Sequence, residues 1–534
     1  KKILCIFSNI PVRLSLMKKL LSIFAILFMS FLSKSQIAKS SSALDASQKV
    51  QNDFDQRVFY EIFIRSFYDS NGDGIGDLNG ITQKLDYLKS LGITGIWITP
   101  FNPSPSYHKY DVTDYFGVDK EYGTLDDFTN LVAEAHKRKI IVLMDLVLNH
   151  SSNLHKWFQS AAKDENAFRN FYSWSDDEDE IKEPNWYDVK DAAGKIVGDE
   201  KYFGFFSSRM PDFDYDNPEV RATMIEIGAW WINNANVDGF RLDAAQHIYD
   251  AENPGDNIDW WKEFTDAMKK IKPDVIAIGE VWNKYPLVAQ YMPALTGCFN
   301  FELSWNLLKS LQEEKNNGTV ELITKIKNAY SENSKTFTDP IFLSNHDGNR
   351  IMSDLDNNMA KAKLAACIYL TLPGTPFLYY GEELGMQGIK PDSLIREPFL
   401  WDKKGKDKGQ TDWEKAIHST HDAIKPLSIQ QKDSSSIYNL YKKLIKLRST
   451  NEVFSSHGFE STSINNEQLL AYLRTSNEKD VLVIHNLSGK PITEGLPANL
   501  FSFNKILFSS VKGNTLNENK FLLQPYGSII ITKK

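Results

Sequence analysis

Four short acidic stretches set the chemistry available to this chain: Asp145-Leu-Val-Leu-Asn149-His150, Gly239-Phe-Arg241-Leu-Asp243, Gly279-Glu280-Val-Trp282 and Asn345-His346-Asp347. Each follows or closes an apolar run of strand-like composition. One carboxylate in such a place could merely cap the next helix. Several at consecutive strand ends, beside arginine and histidine, point instead to acid–base work. An ionised carboxylate, and a second one held protonated by a raised pKa, are the pair that cleavage of a glycosidic bond requires. Arg241 lies two residues before Asp243, so on a strand both side chains face one side, and the guanidinium is expected to keep Asp243 ionised. Glu280 follows an apolar strand and precedes Trp282, a setting expected to raise its pKa. His346 and Asp347 are placed to give polar contacts to a sugar ring.

A second pattern concerns metal. Asp69-Ser-Asn71-Gly-Asp73-Gly-Ile75-Gly-Asp77 sets oxygen side chains at alternate positions. With the carbonyl of Ile75, the side chains of Asp69, Asn71, Asp73 and Asp77 form a hard-oxygen set suited to Ca2+. Gly80 stands where an EF-hand would carry its bidentate glutamate, and a strand precedes the loop, so this is not that motif. A structural calcium tying the loop after the first strand is expected.

These residues need a scaffold that brings strand ends together. Strand-like runs occur at 58–67, 95–100, 140–150, 239–245, 275–282, 299–303, 340–347 and 376–383, and most precede a helical pattern, as at 81–91 and 125–137. Eight such units predict an α/β chain built as a (β/α)8 TIM barrel, whose catalytic residues gather at the C-terminal strand ends. No glycine-rich fingerprint follows the first strand, which disfavours an open dinucleotide-binding sheet. The stretch between Asp145 and Asp243 is too long for one unit of roughly 30 residues. It predicts an inserted subdomain over 151–215, with the barrel running over 53–150 and 216–452. A last barrel helix near 436–448 gives way to alternating short strands, predicting a C-terminal antiparallel β-sandwich domain over 453–534.

The net charge of -8 argues against nucleic acid, which needs a basic face. Cys5, Cys298 and Cys367 are too few for a disulfide framework. From Met17, a plausible initiator, Lys18 and Lys19 precede an apolar run from Leu20 to Leu32, and Ser33-Lys34-Ser35 offers small residues for cleavage. Residues 1–35 thus read as a secretory signal peptide with upstream residues, and 36–52 as a flexible leader. The apolar run is shorter than the roughly 20 residues a membrane span needs, and no lipidation cysteine follows it. A secreted or periplasmic protein without a stable membrane anchor is expected.

Taken together, the four stretches resemble the signature regions of the α-amylase superfamily, glycoside hydrolase family thirteen. Met210-Pro211-Asp212-Phe213-Asp214 is similar to that family's short motif in its inserted domain. The resemblance runs from about residue 57 to the C-terminus and is nearest to secreted bacterial α-amylases. It implies Asp243 as nucleophile, Glu280 as proton donor and Asp347 as a third acid that stabilises the transition state. His150, Arg241 and His346 would contact the sugar or orient the nucleophile. His108, Tyr110 and Asp111 would touch the same sugar, with Tyr110 as a stacking platform. Asn149 and the carbonyl of His247 match positions of a second calcium. The implied activity is endo-cleavage of α-1,4 bonds in starch-like glucans by a monomer, through a covalent glycosyl-enzyme. An exo-acting α-glucosidase, oligo-1,6-glucosidase or glucosyltransferase of the same family is the alternative, since Asp111 and Arg396 can close the end of a site. Gln246, where many amylases have lysine, opens the way to transglycosylation or altered product length.

Overall fold

The computed structural model describes residues 49, 51–163, 168–190, 194–249, 251 and 254–533. The expected signal peptide, and the leader through residue 48, lie outside the described residues. Eleven strands precede the C-terminal region: β1 (Phe59–Ile62), β2 (Gly95–Ile98), β3 (Ile141–Leu146), β4 (Trp174–Ser175), β5 (Trp186–Lys190), β6 (Ile196–Phe203), β7 (Gly239–Leu242), β8 (Ile276–Gly279), β9 (Gly297–Cys298), β10 (Pro340–Phe342) and β11 (Thr375–Tyr379). Eight of them form one parallel sheet in the order β10-β11-β1-β2-β3-β7-β8-β9. A single parallel bridge from Gly297 to Thr338 spans the seam, so the barrel is nearly closed. The barrel strands are short and almost wholly buried, because helices cover the outside and side chains fill the inside.

An aromatic column fills that inside. Phe59 stacks on Phe377 at 4.4 Å, Phe377 meets Phe299 at 5.0 Å, Phe299 meets Trp97 at 5.2 Å, and Trp97 meets His346 at 5.4 Å. Packing to crystal-like density gives these rings little room to shift, so the polar groups resting on them are held in place. At the seam between β7 and β8, Gly239 allows the close approach: a β-carbon there would lie 2.0 Å from the carbonyl oxygen of Ile276.

Several expected elements are shorter or displaced. The run 58–67 is not one strand: pairing with β2 and β11 ends by Ile62, and Ile64–Phe67 turns into a single helical turn. The sixth strand is not 299–303 but Gly297–Cys298. Asn300 accepts the backbone N–H of Leu303 and starts the helix Phe301–Glu313, so the apolar pattern there has helical spacing. The helix expected from 81 begins at Leu78, because Asp77 caps it through the N–H of Gly80. Leu125–Lys137 agrees with expectation and opens on a capping box of Thr124 and Asp127.

Between β3 and β7, strands β4, β6 and β5 make a separate antiparallel sheet in that order. After the helix Ile437–Ser449, a five-stranded and a three-stranded antiparallel sheet lie between Gly458 and Lys533, and both contribute side chains to one small core. Cys298 and Cys367 are buried free thiols. Among the described residues, no helix is long and apolar enough to cross a membrane.

Candidate active site

Register places the central charges. Asp145 on β3 stands opposite Arg241 on β7, Asp243 follows β7 by one residue, and Glu280 follows β8 by one residue. Arg241 Nη1 reaches Asp145 Oδ1 at 2.8 Å and Asp243 Oδ1 at 2.5 Å, while Nη2 reaches Glu280 Oε2 at 2.7 Å. One guanidinium thus serves three carboxylates. The Asp145 carboxylate also accepts the indole N–H of Trp97 and the hydroxyl of Tyr110, both at 3.1 Å. Glu280 accepts the backbone N–H of Ala244 at 3.0 Å and the indole N–H of Trp282 at 2.8 Å. The expected apolar setting of Glu280 is therefore corrected, because Trp282 turns its donor, not its hydrocarbon face, to the carboxylate.

The balance of forces on Asp243 also differs from expectation. Burial, reinforced by the neighbouring Glu280 and Asp145 carboxylates, pushes its carboxyl well above the usual range against the pull of Arg241. A single cation cannot compensate three buried anions, so the cluster favours holding a proton.

A second cluster faces the first. His346 Nδ1 bonds Glu61 Oε1 at 2.6 Å, and its Nε2 lies 2.5 Å from the Tyr110 hydroxyl and 3.0 Å from Asp347 Oδ2. Arg396 Nη2 reaches Asp347 Oδ1 at 2.9 Å, and its Nε donates to the carbonyl of His346 at 2.8 Å. Burial opposes charge on the ring, but Asp347 and Glu61 outweigh it and push His346 up to about 10. Burial likewise opposes charge on Asp347, yet His346 and Arg396 hold its carboxyl far below the ordinary range. Desolvation lowers both His108 and His150 to about 4. They are neutral hydrogen-bonding rings near neutral pH.

Of the residues singled out in the sequence, Asp243, Glu280, Asp347, His108, Tyr110, His150 and Arg396 line one cavity of about 570 Å³, with Phe206, Arg209, Gln246, His247, Trp282, Lys390 and Asp392. Arg241 and His346 are fully buried behind that lining and reach it through the carboxylates they hold. Asp111 is buried beside the cavity and accepts the hydroxyls of Ser104 (2.6 Å) and Ser106. Glu61 was missed. The signal for it is a lone carboxylate inside the apolar strand Phe-Tyr-Glu-Ile, where an uncompensated charge would be costly.

The loop from Asp69 to Asp77 lies outside this cavity. Asp69 accepts backbone N–H groups of Asn71, Gly72 and Gly74, Asn71 accepts that of Asp73, and Asp73 accepts that of Ile75. Asp77 accepts from Ser70 N, Ser70 Oγ and Gly80 N, which occupies it as a loop clasp and helix cap. The donor chemistry of Asp69, Asn71, Asp73 and the Ile75 carbonyl suits calcium, but no group of three His, Cys, Asp or Glu is assembled to hold a metal ion among the described residues. Asn149 is buried and bonds the carboxyl of Asp212, which burial pushes well up.

Comparisons with known proteins accord with this geometry. Residues 61–457 match the family "Alpha amylase, catalytic domain", and residues 469–530 match "Alpha-amylase SusG C-terminal domain". Alpha-amylase 3 of Dictyoglomus thermophilum is 42% identical over 481 residues, covering 89% of this chain and 92% of that protein. A 4-alpha-glucanotransferase of Thermotoga neapolitana is 30% identical, covering 83% and 99%. Among solved structures, an alpha-amylase from H.orenii superposes with a TM-score of 0.79 at 36% identity, covering 90% of this chain and 99% of that one.

Proposed function

Starting from the fact that this chain belongs to the α-amylase family of retaining glycoside hydrolases, we propose that it cleaves internal α-1,4-glucosidic bonds in starch and maltooligosaccharides. The observation that carries the proposal is the shared guanidinium: Arg241 holds Asp243 and Glu280 at the wall of one cavity, with Asp347 also on that wall.

In the double displacement that follows, Asp243 in its ionised form attacks the anomeric carbon while Glu280 gives its proton to the departing glycosidic oxygen. The bond from Asp243 to the sugar forms as the glycosidic bond breaks. Glu280, now ionised, takes a proton from water, whose oxygen attacks the same carbon and frees Asp243. Arg241 contacts both carboxylates, so it can compensate whichever of the two carries the charge as the proton moves between steps. Asp347, kept ionised by His346 and Arg396, offers negative charge to the oxocarbenium-like transition state. Tyr110 and the neutral rings of His108 and His150 supply a stacking face and hydrogen bonds without adding charge.

Internal cleavage is favoured over terminal cleavage by the burial of Asp111, whose carboxylate is taken up by the hydroxyls of Ser104 and Ser106. The glucanotransferase relative keeps transfer to a second sugar as the other reading, with Gln246 and His247 on the wall where an acceptor would bind. A product time course on amylose and on an end-blocked maltooligosaccharide tests the choice. Random internal products of α configuration are expected; glucose alone, with blocked ends resistant, would overturn the endo reading.

We also propose a structural calcium held by Asp69, Asn71, Asp73 and the Ile75 carbonyl, with Asn149 at a second site. Its role would be to tie the loop. Export to the periplasm or medium is proposed on the Met17–Ser35 pattern, and appearance of the full-length, uncleaved protein in the cytoplasm of the source cell would count against it.

A further inference from the structure

Two tryptophans near the cavity are unusually open to water. Trp282 is 42% exposed and Trp305 is 45% exposed, although burial of such a side chain is strongly favoured. Single exposed apolar residues are common and need no explanation. These two are not independent. Trp282 lines the catalytic cavity and donates its indole N–H to Glu280. Its ring packs on Phe301 at 4.4 Å, and Phe301 meets Trp305, one helical turn on, at 6.0 Å. The two indoles are thus at most two ring contacts apart. Phe301 is itself buried against Phe342 of β10 at 5.0 Å, so the platform is anchored to the barrel rather than carried on a loose loop.

We propose that Trp282 and Trp305 form an aromatic track that carries an α-glucan chain out of the cavity along the start of the helix Phe301–Glu313. The inference rests on the α-glucan reading above and extends it to a further binding site. Continuity with the cavity identifies the occupant, since Trp282 belongs to both surfaces and a chain leaving past Glu280 meets it first. Glu280 protonates the departing oxygen, so the track receives the leaving-group part of the chain. The CH-rich faces of glucose units suit flat indole rings, which give contact area at little entropic cost because they are already held. Long chains would gain from Trp305 and short ones would not.

Direct binding tests this without turnover. Maltotriose and maltoheptaose are titrated calorimetrically into the Asp243→Asn protein with and without Trp305→Ala. Loss of the outer indole is expected to weaken maltoheptaose about tenfold and to shrink the ratio of the two affinities by the same factor. Trp305→Phe, which keeps a ring, should recover most of the loss. Unchanged maltoheptaose affinity, or an equal loss for both sugars, overturns the track. Failure of the parent Asp243→Asn protein to bind either sugar would instead sink the α-glucan reading itself, so the two failures are distinguishable.

Discussion

Arg241 shows how much one buried side chain can organise. Its two terminal nitrogens hold the carboxylates of Asp145, Asp243 and Glu280, and no other cation contacts these three among the described ion pairs. If Asp243 attacks as proposed, Asp243→Asn keeps the shape but removes the attacking charge, so turnover on amylose should fall by about 1000-fold or more with the melting temperature nearly unchanged. A near-normal rate would refute the assignment. His346 allows a prediction about pH. Its ring is charged up to about 10, against an ordinary 6.5. A raised folded pKa contributes stability that is fully present below 6.5 and is lost as pH rises through about 10. Glu61→Gln keeps an acceptor for Nδ1 but removes one of the two anions that sustain the charge. The alkaline limb of kcat/KM and of thermal stability should therefore move to lower pH, and an unmoved limb would show that Glu61 does not act through the ring. The four acidic motifs were legible because each acid ends an apolar run. The role of Glu61 was not, because its partner His346 is 285 positions away and only packing reveals the pair.

Among the elements, the segment from β1 into the helix Leu78–Leu91 concentrates the most local chemistry. Asp77 clasps Ser70 and caps that helix, so Asp77→Ala should cost about 1–2 kcal/mol of stability, read from denaturant midpoints at constant slope. The calcium proposal is separable from the cap. Chelation by EDTA should lower the melting temperature of the wild type, and added calcium should restore it. Insensitivity to EDTA, with no metal copurifying, would dismiss the ion while leaving the cap intact. The spacing of oxygens in this loop could be read directly, but its hydrogen bonds could not. Hydrophobic spacing likewise located seven of the eight barrel strands, yet misplaced β9 into the following helix. A strand of two residues carries too little pattern to compete with the helical repeat that begins at Phe301.

At the scale of the whole molecule, the residues from Asp53 onward form one compact unit, and Arg474 is a principal tie within it. It lies on a C-terminal strand, is fully buried, and donates to the carbonyls of Thr371 (2.7 Å), Phe454 (3.1 Å), Ser456 (2.5 Å) and Gly458 (3.0 Å). With carbonyl partners and no carboxylate among these bonds, burial pulls its guanidinium down to about 9. Tyr472, two residues earlier, bonds Thr371 Oγ1 at 2.6 Å, so the last β-sheet is locked to the end of a barrel helix. Arg474→Ala strands several buried carbonyls and should cost about 2–5 kcal/mol. The melt should fall while the KM for maltoheptaose stays unchanged in the folded fraction. A fully stable variant would mean that the C-terminal sheets do not brace the barrel.

The sequence by itself determined which acids stand at strand ends, the alternation that builds a barrel, and the change to antiparallel strands near the C-terminus. These are local properties, written in residue type and in periods of two and 3.6. Only the tertiary structure decided that three carboxylates share Arg241, that Asp111 is buried against Ser104 and Ser106, that Glu61 supports His346, and that Trp282 and Trp305 both meet Phe301. Each of those depends on contacts between segments that packing brings together, and on burial, which changes the charge a group can hold. Periodicity along the chain carries neither.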